Sequence, residues 1–184
     1  MRSGLAGSNS AGPMPTTFTR VSSPVGELVL AASGAALTGA YFNPSRHGPP
    51  PTEGAGWVED DGRGPAGEVL ARAGQQLGEY FAGTRTTFDI PLDAPGTAFQ
   101  RRVWDALRAI PYGTTLSYGL LARRLGDVRA TRAVGAANGK NPIPIIVPCH
   151  RVVGANGALT GFGGGLDRKR WLLEHEGALM MLGG

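Results

Sequence analysis

At 184 residues the chain has room for one domain or two small ones, and a hydrophobic share of 41% supplies a core. No apolar run approaches the ~20 residues that cross a bilayer, so a helical membrane span is not expected. A net charge of +4, with a pI of about 9.7, suggests a polyanionic partner. A single cysteine excludes an internal disulfide and a cysteine-rich zinc site, and it fits a reducing, cytoplasmic setting.

In chain order, residues 1–15 read as a disordered leader of Gly, Ser, Ala and Pro, without the apolar stretch of a signal peptide. Residues 17–21, 27–32 and 36–42 read as three strands of an antiparallel meander, punctuated by Ser23-Pro24-Val25-Gly26 and Ser33-Gly34. One face of this sheet needs a covering helix. Residues 43–64 read as a long loop anchored by Trp57. Residues 66–81 follow as an amphipathic helix with Val69, Leu70, Ala73, Leu77, Tyr80 and Phe81 at helical spacing. Residues 87–92 read as one more strand, and Asp93-Ala94-Pro95-Gly96 as a linker. The expected division is therefore a scaffold at 16–95, without a chemical constellation, and a second domain at 96–184.

The second half turns helical. Thr97 and Gln100 form a capping-box pattern ahead of a helix to about residue 109, with Phe99, Val103, Trp104 and Leu107 as its apolar face. Ser117 caps a second helix through Leu125, and Gly126-Asp127 breaks it. A third helix is expected from about residue 128 to 137, ending at Asn138-Gly139. Helix, short turn, helix is the helix-turn-helix pattern. The third helix is almost wholly small residues plus Arg129 and Arg132, which suits close approach to a nucleic-acid groove and tight helix packing equally. Seven arginines (101, 102, 108, 123, 124, 129 and 132) face only Asp105 and Asp127 in this region. A final helix is expected over residues 166–174.

Ile145-Ile146-Val147-Pro148-Cys149-His150-Arg151-Val152-Val153 holds the only cysteine. A lone apolar-flanked Cys can be inert core. A nucleophilic one needs a base or a positive neighbour. His150 is adjacent, but neighbouring side chains of a regular strand point to opposite faces. Contact between them requires an irregular backbone, which Pro148 favours, or a bridging water.

Pro148-Cys149-His150-Arg151-Val152 resembles the active-site signature of the O6-alkylguanine-DNA alkyltransferases. The resemblance extends with preserved spacing from Phe99 to Gly177. It takes in Ile110-Pro111, Ser117-Tyr118, Arg132-Ala133-Val134-Gly135, Asn141-Pro142, Gly164-Gly165-Leu166 and Trp171-Leu172-Leu173 with His175-Glu176-Gly177. It implies an α+β protein: an N-terminal antiparallel sheet with a helix, ribonuclease H-like, and a C-terminal winged helix-turn-helix. It implies a single-turnover transfer of the alkyl group from O6-alkylguanine to Cys149, with O4-alkylthymine the second candidate substrate. His150 would activate the thiol through a water, Glu176 would orient His150, Tyr118 would stabilise the departing base, and Asn141 would build the active-site region. Arg132 would replace the flipped nucleotide. Tyr118, Ala133 and Gly135 would meet double-stranded DNA in the minor groove, with Arg129 and Arg101 as phosphate contacts. Pro144, Val152, Phe162, Gly163 and Gly164 would form the substrate pocket. No cofactor, metal or membrane is implied, and the protein would act as a monomer, with cooperativity on DNA open.

Many relatives carry tyrosine and serine where this chain has Phe162 and Gly163. The ring that can stack on guanine is kept and a hydroxyl is lost. The alternative is a non-catalytic alkyltransferase-like protein, but such proteins replace the nucleophile, and Cys149 stands in place. A regulator fused to a zinc module lacks its cysteines here. A turnover hydrolase lacks an oxyanion-hole motif.

Overall fold

The computed structural model describes residues 14–44 and 56–181. The leader expected at 1–15 lies outside them apart from Met14 and Pro15. Strands β1 (Thr17–Val21), β2 (Glu27–Ser33) and β3 (Ala36–Asn43) form the expected meander, with Val21 opposite Leu28 and Leu28 opposite Phe42. Gly26, at φ 104°, closes the first turn in a conformation that residues with a Cβ rarely adopt. β2 lies between the other two, so Leu28 through Ala32 are buried without alternation.

A fourth strand, β4 (Val58–Glu59), corrects the loop expected at 43–64. It pairs parallel with β1 at Thr17 and Phe18. Trp57 just before it packs against Phe18 and Tyr41 at centroid distances of 6.4 and 5.8 Å, so the anchor is real. Residues 45–55 of that loop lie outside the described residues. Helix α1 (Gly64–Phe81) begins two residues before the expected start, with Pro65 in its first turn, and lays Val69, Leu70, Ala73, Leu77 and Tyr80 on the sheet.

The strand expected at 87–92 is absent, a second correction. Only Leu92 makes a bridge, to Leu37. The backbone of Asp89 is instead satisfied by a side chain: its N–H donates to Gln76 Oε1 (2.8 Å) and its carbonyl accepts from Gln76 Nε2 (3.2 Å). Pro91 lacks an N–H and could not continue a ladder.

Helix α2 (Ala98–Arg108) starts on the expected capping box: Gln100 N–H donates to Thr97 Oγ1, and Thr97 N–H donates to Gln100 Oε1. β5 (Leu116–Ser117) leads into α3 (Tyr118–Arg124), capped by Ser117. The helix expected from residue 128 is corrected in its start. Asp127 accepts from Arg129 N–H, residues Val128–Ala130 wind as a tight 3-10 turn, and α4 (Thr131–Gly139) follows. Trp104 Nε1 donates to the Ala137 carbonyl at 2.9 Å and ties α2 to α4. β6 (Val152–Val153) pairs parallel with β5, and α5 (Leu166–His175) closes the fold. The whole is α+β: a sheet with one covering helix, then a mainly helical part containing a helix-turn-helix.

Candidate active site

The site is built on the irregular segment between α4 and β6. Asn141 holds it from two sides: its Oδ1 accepts from Ile143 N–H (3.0 Å) and its Nδ2 donates to the Val147 carbonyl (2.8 Å). Between these anchors Ile145 adopts φ 74°, an outlier for a β-branched residue and a place where the fold holds strain. Pro148, at φ −82° and ψ 63°, is the centre of an inverse γ-turn closed by Cys149 N–H on the Val147 carbonyl (2.8 Å). Cys149–Arg151 then wind as a 3-10 turn. Pro148 thus supplies the irregular backbone that frees Cys149 and His150 from the opposite-face rule of a strand.

Glu176 is the electrostatic centre. Its Oε1 accepts from His150 Nε2 (2.7 Å), Tyr80 Oη (2.7 Å) and Arg151 Nη2 (3.1 Å); its Oε2 accepts from Arg151 Nε (2.8 Å) and Gly113 N–H (3.3 Å). Arg151 also donates Nη1 to the Ile110 carbonyl. Burial alone would raise the Glu176 pKa, but the hydrogen bonds from His150 and Arg151 and the guanidinium charge bring it down to about 2. His150 is completely buried, and desolvation lowers its pKa against the pull of Glu176. The ring is therefore neutral near pH 7. With an ionised carboxylate at Nε2, that nitrogen carries the proton and Nδ1 keeps a lone pair. Nδ1 is buried without a protein partner.

Cys149 is a free thiol, 4% exposed. Burial pushes its pKa up to about 11, opposed by the Asn141 amide, the Lys169 charge and local backbone N–H groups. The resting sulfur is protonated, so it becomes a nucleophile only when a base takes that proton.

A cleft of about 240 Å³ opens beside Cys149. Asn138, Asn141, Pro144, Phe162, Gly163 and Gly164 line it, and Tyr41 and Phe42 of β3 form its opposite wall. Phe162 stacks edge-on against Phe42 at 5.9 Å. A Cβ on Gly164 would stand 2.5 Å from the Phe42 ring and 2.6 Å from Phe162, so only glycine allows this wall. Val152 does not line the cleft: it is fully buried on β6. A larger cleft of about 460 Å³ lies by Pro148 and Arg151, but Cys149 does not border it. We place the chemistry in the smaller one because only there does the thiol form part of the wall.

Tyr118 Oη sits within hydrogen-bond distance of the Thr160 (3.1 Å) and Gly161 (3.2 Å) carbonyls, and burial raises its pKa. Lys169 shares this corner. It is fully buried, donates Nζ to the Val152 (2.5 Å) and Thr160 (2.6 Å) carbonyls, and lies 5.9 Å from the Tyr118 ring centroid. Desolvation brings its pKa down to about 8.

On α4, Arg132, Ala133 and Ala136 are exposed, Gly135 is half-buried, and Val134, Ala137 and Asn138 face inward. Among the described residues no carboxylate pairs with Arg132. Arg129 is 92% exposed at its side chain and lies 3.7 Å from Asp127. The other five arginines of the basic stretch are also exposed.

The structure thus brings Cys149, His150, Glu176 and Asn141 together, with Tyr118 across the corner held by Lys169. Sequence reasoning passed over Tyr80, Arg151, Lys169 and Asn138 as site residues. Two of them carried a usable signal: a hydroxyl on the apolar stripe of α1 and an ammonium on the inward face of α5 each require a buried partner.

Cys149 and His150 lie on a buried 3-10 turn, Glu176 closes on His150 from the end of α5, and a helix-turn-helix with an arginine-rich surface stands beside them, an arrangement that suits a cysteine acting on DNA. Residues 17–94 match the family model described as the ribonuclease-like domain of 6-O-methylguanine DNA methyltransferase, and residues 98–178 match its DNA binding domain. The chain is 53% identical over 159 residues to the methylated-DNA–protein-cysteine methyltransferase of Mycolicibacterium paratuberculosis, covering 86% of this chain and 91% of that one. The crystal structure of Mycobacterium tuberculosis O6-methylguanine methyltransferase superposes with a TM-score of 0.78 at 48% identity, covering 89% of this chain and 93% of the other. The crystal structure of Mycobacterium tuberculosis OGT in complex with DNA gives the same TM-score at 49% identity, covering 88% and 93%. The chain belongs to the methylated-DNA–protein-cysteine methyltransferase family.

Proposed function

We infer that this chain restores O6-alkylguanine in double-stranded DNA by moving the alkyl group irreversibly onto Cys149. As a member of its family it is a DNA-binding methyltransferase of direct-reversal repair. The observation that carries the residue roles is the state of His150: Glu176 holds Nε2–H, which leaves Nδ1, buried and without a protein partner, as the ring nitrogen able to accept a proton.

His150 Nδ1 takes the thiol proton through a water, and the imidazolium so formed faces the Glu176 carboxylate. The sulfur displaces the alkyl carbon from O6. The C–O bond breaks, a C–S bond forms, and the electron pair leaves on the purine. Tyr118 donates toward the base as that charge develops. A thioether carries no leaving group that returns the thiol, so each molecule reacts once. Asn141 positions the loop. Pro144, Phe162, Gly163 and Gly164 form the base pocket, with the Phe162 ring offering a stacking face.

The target carbon is sheltered in a stacked duplex, so the nucleotide is flipped. Arg132 fills its place while Ala133, Gly135 and Tyr118 face the minor groove and Arg129 meets phosphate. Residues 96–184 carry DNA binding and transfer, with residues 16–95 bracing them, and the protein binds as a monomer in the cytoplasm. The groove assignment suits a protein that must not read sequence, because the minor-groove pattern is degenerate.

Intact mass spectrometry after mixing with an O6-methylguanine oligonucleotide tests this. One methyl gained on Cys149 with stoichiometric consumption is expected. Repeated turnover, or DNA binding without an adduct, overturns it.

A further inference from the structure

Beyond the cleft wall formed by Tyr41 and Phe42, a side chain of the sheet-bearing half reaches Glu176. Tyr80, near the end of α1, lies 96 positions from Glu176 in sequence, is completely buried, and donates its hydroxyl to Glu176 Oε1 at 2.7 Å. That oxygen is the same one that accepts from His150 Nε2, also at 2.7 Å. One residue earlier, His175 Nε2 hydrogen-bonds the Tyr80 main-chain carbonyl at 2.7 Å. His175 and Glu176 therefore grip one residue of α1 through its backbone and its side chain. The ring itself is held by Phe81, Phe88, Tyr112 and His175 at centroid distances of 5.2 to 6.1 Å, so the hydroxyl is aimed and cannot swing away.

We propose that Tyr80 is a positioning residue of alkyl transfer, acting through Glu176 to set the basicity of His150. The inference rests on the Cys149–His150–Glu176 reading above. An ionised carboxylate only accepts, so Tyr80 must donate. Its donation occupies lone-pair density on Oε1 that would otherwise be concentrated toward His150. The other groups facing this pair are fixed: Arg151 from the 3-10 turn, Tyr112 and Gly113 from the loop after α2, and Cys149 and Lys169 on the His150 side. Removing the hydroxyl leaves the carboxylate more basic, which favours imidazolium. The His150 titration then moves to higher pH. Because imidazolium cannot take the thiol proton, the acid limb of the transfer rate moves up with it. The freed carboxylate is also less well oriented, and transfer at neutral pH slows roughly tenfold, the usual scale for one hydrogen bond to a charged group.

The test uses full-length protein. Transfer rate constants for Tyr80→Phe and wild type are measured from pH 5.5 to 9 with an O6-methylguanine duplex, alongside DNA affinity, and His150 is titrated by NMR of the imidazole. Tyr112→Phe is the control, since it loses a hydroxyl bonded to the His175 carbonyl and keeps its ring. Expected is an upward move of both the acid limb and the His150 midpoint in Tyr80→Phe alone, with DNA affinity unchanged. Superimposed profiles, or a uniform drop with no move along the pH axis, overturn the proposal. Should Tyr80→Phe fail to fold, 3-fluorotyrosine at position 80 supplies the answer. It is a stronger donor, so both readouts must move to lower pH; an unmoved profile overturns the proposal. Absence of methyl transfer to wild-type Cys149 would refute the functional reading instead, and the NMR titration would still decide the Tyr80–His150 coupling.

Discussion

Cys149 is held as a thiol by its surroundings, with a pKa of about 11. A thiol held protonated in this way needs a neighbouring proton acceptor to react, the role proposed above for His150. Cys149→Ser removes the proposed nucleophile while leaving α4 and the cleft in place. Transfer should vanish and duplex affinity should stay within about twofold of wild type, measured by mass spectrometry and fluorescence anisotropy. Asn141 is a different kind of residue, because its two hydrogen bonds define the loop before Pro148. Asn141→Ala orphans the Ile143 N–H and the Val147 carbonyl, at about 1–3 kcal/mol apiece where buried. Unfolding should show that loss, and transfer should slow even where DNA affinity does not. At this scale Cys149 and His150 were legible because they fall inside one motif, whereas Asn141 and Glu176 were reached only through the longer resemblance that runs to Gly177. Tyr80 was legible only as a buried hydroxyl in need of a partner: its spacing in α1 made it one more apolar position, and the partner lies in a segment that only the tertiary fold brings near.

Among the elements, the helix starts were the most readable. Thr97 with Gln100, and Ser117 before Tyr118, carry their capping chemistry within four residues. Thr97→Ala should cost about 1 kcal/mol, read as a lower urea midpoint with an unchanged slope. The strand expected at 87–92 failed for the opposite reason. Its β-forming residues satisfied the local pattern, but the Gln76 side chain, arriving from α1, took the backbone of Asp89. Likewise β4 has only two residues, too few to show a period, and it exists because β1 offers an open edge. The α3–α4 pair leads to a prediction about DNA. With Arg132 in the role proposed above, Arg132→Ala should slow repair of an O6-methylguanine duplex at least tenfold while changing reaction with free O6-methylguanine little. Equal losses on both substrates would remove Arg132 from base flipping.

At the scale of the whole molecule, the two halves meet through charge as well as apolar surface. Glu176 ionises with a pKa of about 2 in the fold, against about 4.3 for a free side chain. In the window between these values the unfolded chain binds more protons, so stability rises with pH there. It is complete above about pH 4.5 and is lost as pH falls toward 2, by on the order of 3 kcal/mol. Urea unfolding of wild type should follow this curve. Glu176→Gln, less stable throughout because Arg151 loses its carboxylate, should give a flatter one. Among the described residues no helix is long and apolar enough to cross a membrane.

The chain has two lysines, Lys140 and Lys169. Lys140 is exposed at the rim of the thiol cleft, whereas the Lys169 ammonium has no surface at all and is bound to two carbonyls. An amine-reactive reagent applied to the folded protein should therefore mark Lys140 and spare Lys169. Modification of Lys169 then becomes a clock for transient opening of the corner that holds Tyr118, readable by peptide mapping without any nucleic acid present.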